Sequence, residues 1–226
     1  MVSFPKATIF NRRIPKQKFY DKLNISGQLE QQFIREINTI WWKNKLSPET
    51  INVGAGKYVK EIEVIEINLK EQHVSKSIVE AVDKGIPYHI VFIARYKDLG
   101  QIWISYKEEI KNREGKFKVD TYYKTGWIKY DALSLEITGL DLDRVYENFL
   151  VQVAGGKLQM SLAGKQLTIK EAVQRAKEKE RLESLIKTLE NKIRNEKQYN
   201  IQVKLMGELR KAKEQLSNET EWSEAE

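Results

Sequence analysis

Apolar positions along the chain recur at two spacings, every second residue in some stretches and every third or fourth in others, the periods of a strand and of a helix. The clearest helical run starts at Ser26, a good N-cap, and puts Leu29, Phe33, Ile37, Ile40 and Trp41 on one face, predicting a helix to about Lys45. Ser47-Pro48 has the form of another helix start, which Gly54 and Gly56 hold to a turn or two. In EIEVIEINLKE, residues 61–71, Ile62 and Val64 share a face with Glu66, Asn68 and Lys70, while Ile65, Ile67 and Leu69 share the other with Glu61 and Glu63. That alternation predicts a central strand, apolar on both sides at its middle and solvated at its polar ends. Ser75 then caps a short helix holding Ile78, Val79 and Val82, which Gly85 and Pro87 end. YHIVFIARY and QIWISYK flank KDLG, a hairpin pattern of β-branched and aromatic residues around a short turn.

Shorter strands are expected around 118–123, 126–130 and 133–138. Asp141 caps a helix whose Leu142, Val145, Tyr146, Phe149, Leu150 and Val153 form a wide apolar face, ended by Gly155-Gly156. The first 22 residues have no clean period and read as a basic arm lying on the core through Phe4, Ile9, Phe10, Ile14 and Phe19. Beyond residue 167 the pattern changes. TIKE has capping-box form, with Thr168 and Glu171 reaching toward each other's amides. Ile169, Val173, Ala176, Leu182, Ile186, Leu189 and Ile193 then make a narrow stripe on a charged helix. The stripe loses phase at NEKQYN, and Ile201, Leu205, Leu209, Ala212 and Leu216 begin another. Two stripes with a break predict a helical hairpin, an antiparallel coiled coil, with one continuous helix as the alternative. The expected organisation is an α+β domain over 1–155, its mixed or antiparallel sheet covered by helices, a connector at 156–167, the hairpin at 168–217 and an acidic tail at 218–226.

Composition narrows the chemistry. Among 226 residues there is no cysteine and there are two histidines, which removes thiolate metal sites, disulfides, cysteine nucleophiles and histidine-rich metal cages. No cofactor and no bound metal is expected. The N-terminal sequence lacks the apolar core of a signal peptide and no apolar run reaches membrane-spanning length, so a cytoplasmic protein without a membrane segment is expected. The net charge of +7 is unevenly placed: +6 over residues 1–45, zero over 46–167, +5 over 168–217 and −4 over 218–226. Arg12, Arg13, Lys16 and Lys18 in the arm, and Arg175, Lys179, Lys192, Arg194, Lys211 and Lys213 in the hairpin, are therefore candidate phosphate-binding residues.

A metal-dependent nuclease is the catalytic reading to test, and the strand at 61–71 is where it would sit. An acid and a lysine two residues apart, about 6.6 Å, can serve one metal and its water. Glu66 and Lys70 are four residues apart, about 13 Å, and Glu63 has no lysine at that spacing. Glu114 and Lys116 have it, but in KNREGKFKVD, where Asn112 and Gly115 point to a turn. GAGK at 54–57 lacks the first glycine and the final Ser or Thr of a nucleotide-binding loop, and His89 has no nucleophile or acid patterned with it. KFKVDTYYKTGWIKY interleaves Lys116, Lys118, Lys124 and Lys129 with Phe117, Tyr122, Tyr123, Trp127 and Tyr130, a pattern that can pair phosphates and stack bases on a sheet surface and that equally describes two amphipathic strands.

RRIPKQKFY, WWKNKLSPETINV, AVDKGIPYHIVFI, NREGKFKVD and YENFLVQVAG together resemble an uncharacterised prokaryotic family, domain of unknown function 4391, over nearly the whole length including the lysine-rich hairpin. The resemblance implies no catalytic residues. It implies genes beside helicases and DNA methyltransferases in antiphage, restriction-like clusters. The reading that follows is a non-catalytic accessory or adapter subunit of such a system, binding a helicase or methyltransferase, or a second copy of itself, through Leu182, Ile186, Leu189, Ile193, Leu205 and Leu209, and DNA through its basic surfaces. The alternative is a nuclease with an atypical site drawn from Glu63, Glu66 and Lys70 or from Glu114 and Lys116.

Overall fold

The computed structural model describes residues 2, 4–23, 25–110, 115–162 and 165–221. The chain divides into two compact units, Met1–Gly155 and Gly156–Glu226. The first is α+β. Its strands are β1 (Ile9–Ile14), β2 (Ile37–Leu46), β3 (Ile62–Leu69), β4 (His89–Tyr96), β5 (Leu99–Glu109), β6 (Phe117–Lys124) and the short β7 (Ile128–Lys129). They form one mixed sheet in the order β1-β2-β3-β4-β5-β6, with β7 paired to β5. Only β3 and β4 run parallel, because the helix α4 (Lys76–Gly85) carries the chain back between them.

Helices α1 (Gln17–Leu23), α2 (Gly27–Glu36) and α4 belong with one sheet face, where Phe19, Phe33, Ile78 and Val82 join Ile40, Ile65, Ile67, Ile90, Phe92 and Trp103 in a single buried core. The short α3 (Pro48–Ile51) starts with a Ser47–Thr50 capping box. On the opposite face, α5 (Leu142–Ala154) sets the Tyr146 ring 4.7 Å from that of His89. Cover on both sides explains why β3 is buried almost end to end. Asp141 accepts from the Arg144 amide, and the left-handed Gly155 ends the helix.

Several elements differ from the expectation. The helix foreseen to Lys45 stops at Glu36, and residues 37–46 form a strand. The three-and-four spacing persists across the junction because α2 enters β2 without a loop, so Phe33, Ile37 and Ile40 reach the same core from a helix and from a strand. The arm is regular structure: β1 is an edge strand, irregular at Asn11 where φ is +47°, which hides its period, and α1 follows. Phe19 is buried, but Ile9 is 60% exposed and lies off the core. The β4–β5 turn is only Lys97 and Asp98, with Lys97 left-handed, and Gly100 is already strand. A Cβ at Gly100 would come within 2.5 Å of the Leu133 side chain. No strand forms over 133–138: Gln152 of α5 bonds both backbone groups of Glu136 and takes the place of a ladder.

In the second unit, β8 (Ser161–Leu162) and β9 (Lys165–Gln166) pair, and α6 (Ile169–Asn195) and α7 (Tyr199–Glu221) pack together as a hairpin. Both halves of the Thr168–Glu171 capping box form. Gln202 donates to the carbonyls of Ile193 and Glu196, closing the turn. No helix among the described residues is long and apolar enough to cross a membrane.

Candidate nucleic-acid interface

The edge strand β6 is contacted by α5, and a groove opens between it and α4. Helix α4 lines one wall with Lys76, Glu80, Asp83 and Lys84, spaced as one helical face, and β6 lines the other with Lys118, Val119, Asp120 and Tyr122; a bulge at Asp120 breaks the strand's alternation, so Tyr122, paired with Ser105, and Lys118, paired with Glu108, point to opposite faces. The groove has a volume of about 620 Å³. Lys116, Ile86, Pro87, Tyr88, His89, Ile110 and Phe117 contribute at its closed end.

Its floor is an ion pair. Asp83 Oδ1 lies 2.7 Å from Lys107 Nζ, with the Asp83 side chain fully buried and that of Lys107 8% exposed. Lys107 also donates to the Tyr88 carbonyl, and Tyr122 Oη donates to Asp83 Oδ2 at 2.8 Å. Burial first, then the Asp83 charge, raises the Tyr122 phenol pKa, so it stays a donor. His89 is pushed down to about 3 by burial and then by Lys107, so its imidazole is neutral and packs between Phe117 and Tyr146.

Five lysines face three acids in this lining. Asp83 is neutralised by Lys107, and Glu80 lies 3.5 Å from Lys76. Lys84, Lys116 and Lys118 make no ion pair among the described residues, so their charge is available to an anion. Of these the sequence pointed to Lys116 and Lys118. Lys124 shares the face of Tyr122, not that of Lys118, its Nζ 4.5 Å from the Trp103 ring centroid, while Lys129 lies on β7. Lys84, and the Asp83–Lys107 floor, were missed. A signal for the floor exists: Asp83 adjoins Val82 on an apolar helix, and Lys107 shares the inward parity of Trp103 and Ser105.

The nuclease residues are not brought together. Glu63 and Glu66 are three residues apart on β3 and point to opposite faces. Both are buried, in place of the solvated ends expected. Glu66 accepts from Tyr130 Oη and from Asn68. Glu63 accepts from the Trp42 indole at 2.5 Å, and burial pushes its carboxyl up to about 8. Lys70 donates to the Ile34 carbonyl at the end of α2. Glu114 lies outside the described residues. Among the described residues no three His, Cys, Asp or Glu side chains gather as a metal site.

The end of GAGK and the two residues after it hold an anion, an internal one. The amides of Lys57, Tyr58 and Val59 converge on the Asp143 carboxylate at 2.7, 3.0 and 2.7 Å. At the far sheet edge, Arg12 stacks 4.6 Å from the Phe10 ring, and the Lys16 amine is lowered by burial and by its neighbours Lys70 and Arg13 while it donates to the Ile37 carbonyl. Lys18 is exposed on α1.

In the hairpin, Leu182 and Leu189 are buried, and Ile186, Ile193, Leu205 and Leu209 are half-buried. The exposed large apolar side chains are Tyr199, Val203 and Met206, a stripe on α7, with Ile201 on α7 and Leu185 on α6. Arg175, Lys179, Lys192, Arg194, Lys211 and Lys213 are carried on the same two helices, with Lys213 paired to Glu190.

No curated protein and no solved structure matches the chain. One family model, described as Domain of unknown function (DUF4391), matches residues 2–216.

Proposed function

The chain belongs to the DUF4391 family, and we propose that it is a non-catalytic accessory subunit of a helicase- and methyltransferase-containing DNA-defence system, holding nucleic-acid phosphate in the α4–β6 groove and a partner protein on its helical hairpin. The observation that carries the first half is the set of three unpaired lysines, Lys84, Lys116 and Lys118, around a groove whose acidic floor is already neutralised. Such charge attracts a polyanion and costs nothing in broken ion pairs. The exposed stripe Tyr199, Val203 and Met206 supports the second half, since these side chains stand outside the seam that joins α6 to α7. The defence-cluster setting comes from the genomic neighbourhood that the family resemblance implies.

Glu63 and Glu66 favour this reading over the nuclease, because carboxylates on opposite sides of a sheet do not share a metal. The test has two arms. In the first, DNA binding is followed against salt, and replacing Lys84, Lys116 and Lys118 together by alanine should reduce the log–log slope by about 0.7–0.9 for each phosphate no longer neutralised. In the second, the full chain and a chain ending at Gly155 are co-expressed with the helicase or methyltransferase encoded beside the gene, and only the full chain should co-purify. Cleavage of DNA in Mg²⁺ or Mn²⁺ that disappears in Glu66→Ala would overturn the non-catalytic reading.

A further inference from the structure

At the sheet edge opposite β6, cations from three places in the chain are held together without an acid to pair them. We propose that Arg13, Lys16 and Lys70 form a site for the dianionic phosphate of a phosphomonoester, beside the junction where α2 passes into β2. The first argument is topological. Ile14, the last residue of β1, lies opposite Ile40, and Leu69, the last of β3, lies opposite Ile37, so both neighbours of β2 end beside its first residues. Arg13 and Lys16 therefore reach the junction from one side and Lys70 from the other.

The second argument is the surplus of charge. Lys16 Nζ donates to the Ile37 carbonyl at 3.1 Å and Lys70 Nζ to the Ile34 carbonyl at 2.7 Å. Such contacts suit the carbonyl end of a helix, but that end amounts to only about half a negative charge. Two ammonium groups exceed it, and each has used one of its N–H donors. Helix capping also leaves Arg13 unexplained, because its guanidinium makes no hydrogen bond or ion pair among the described residues. The charges act on one another: the Lys16 amine is lowered by burial first, then by Lys70 and Arg13. Arg13 and Lys70 are exposed and Lys16 is half-buried, so the cluster is open to a ligand.

The third argument is that the nearby acids are already taken. Glu66 lies on the same cross-strand row as Arg13 and Trp41, but its carboxylate accepts from Tyr130 and Asn68. Glu36, at the end of α2, accepts from Ser75 and from Arg35. Neither neutralises the three cations. A guanidinium supplies a planar fork and two tethered amines supply fixed point charges, together a donor set for the oxygens of one phosphate. A phosphomonoester carries about −1.5 to −2 near pH 7, which matches the cluster better than the single charge of a backbone diester. That preference separates this site from the α4–β6 groove.

A phosphomonoester can come from a small molecule or from the 5′ end of a nucleic acid, and the test has an arm for each. Inorganic phosphate, titrated into the full chain at constant ionic strength, should raise Tm by about 3–6 °C at about ten times its Kd, with chloride as the reference. A short oligonucleotide labelled at its 3′ end and carrying a 5′-phosphate should bind about tenfold more tightly than the same strand with a 5′-hydroxyl, the gain from one added charge-assisted contact. Arg13→Gln breaks no contact among the described residues, so it should remove these effects and leave Tm in chloride unchanged. Arg12→Gln, one residue along β1 and on its other face, should remove neither. A phosphate effect without a 5′-end preference assigns the site to small phosphates, and a 5′-end preference assigns it to nucleic acid; each supports the site. Phosphate no better than chloride, together with equal binding of the two oligonucleotides, would overturn the proposal, as would either effect persisting in Arg13→Gln. Binding of the 5′-hydroxyl strand reports the groove lysines separately, so failure of one site leaves the other standing.

Discussion

Lys107→Met tests the foundation of the groove, because it removes one charge of a buried pair and keeps most of the side-chain volume. In the wild type, Asp83 has two charge-assisted hydrogen bonds, from Lys107 at 2.7 Å and from Tyr122 at 2.8 Å. With its side chain fully buried, water cannot replace the missing partner. Stranding one member of a buried pair costs about 3–5 kcal/mol, and Lys107→Met should fall in that range. Tyr122→Phe removes one bond to a charged acceptor and should cost about 1.5–3 kcal/mol. At roughly 2–4 °C per kcal/mol for a chain of this size, Lys107→Met lowers Tm by about 6–20 °C. Pairing it with Asp83→Leu removes the stranded charge and should recover most of the loss, since replacing both ions by apolar groups of similar volume is often neutral or better. Urea denaturation of the four proteins of that double-mutant cycle, with the slopes compared to confirm that the unfolded states match, gives the coupling directly. A cost below about 1 kcal/mol for Lys107→Met, or a double variant no more stable than the sum of the single losses, would refute the idea that Lys107 is what allows Asp83 to be charged beneath a cationic groove.

Three further substitutions test the rest of the first unit. Asp143→Ala leaves the amides of Lys57, Tyr58 and Val59 without their common acceptor and should destabilise by about 1–3 kcal/mol. Gly56→Ala should disturb the same loop, because its Cβ would lie 2.4 Å from Asp143 Oδ1 and 2.5 Å from the Val59 carbonyl, and urea midpoints of the two variants check both. For Glu63 the folded carboxyl, at about 8, titrates above its ordinary value of 4.5, so the folded state holds a proton that the unfolded state has released. That contribution is full below pH 4.5 and is lost as pH rises toward 8. Glu63→Gln keeps the neutral shape and should remove this component, so the wild type should lose stability relative to it between about pH 5 and pH 8 in denaturation curves taken across that range. A constant difference would mean that the carboxyl is ionised in its buried position.

Local signals carried much of this architecture. The caps at Ser26, Asp141 and Thr168 act on amides three residues away, so a short stretch of sequence contains both partners. The hairpin of α6 and α7 was readable for a similar reason: a phase shift at residues 196–200 interrupts a stripe that only a helix produces. The β3 strand was legible from alternation, and so was the improbability of a shared metal for Glu66 and Lys70, since strand rise alone sets their separation. Where reading stopped was at choices made by distant neighbours. Residues 37–46 could continue a helix or start a strand, and pairing with β1 on one side and β3 on the other decides for the strand. Residues 133–138 had a strand's composition, but Gln152 satisfies the backbone of Glu136 from a helix. The groove is the fullest case. Asp83, Lys107 and Tyr122 are separated by 24 and 39 residues along the chain, and no local period links them. Only the sheet order, which sets β6 beside β5 at the edge next to α4, brings a helix and a strand so far apart in sequence to the two walls of one groove.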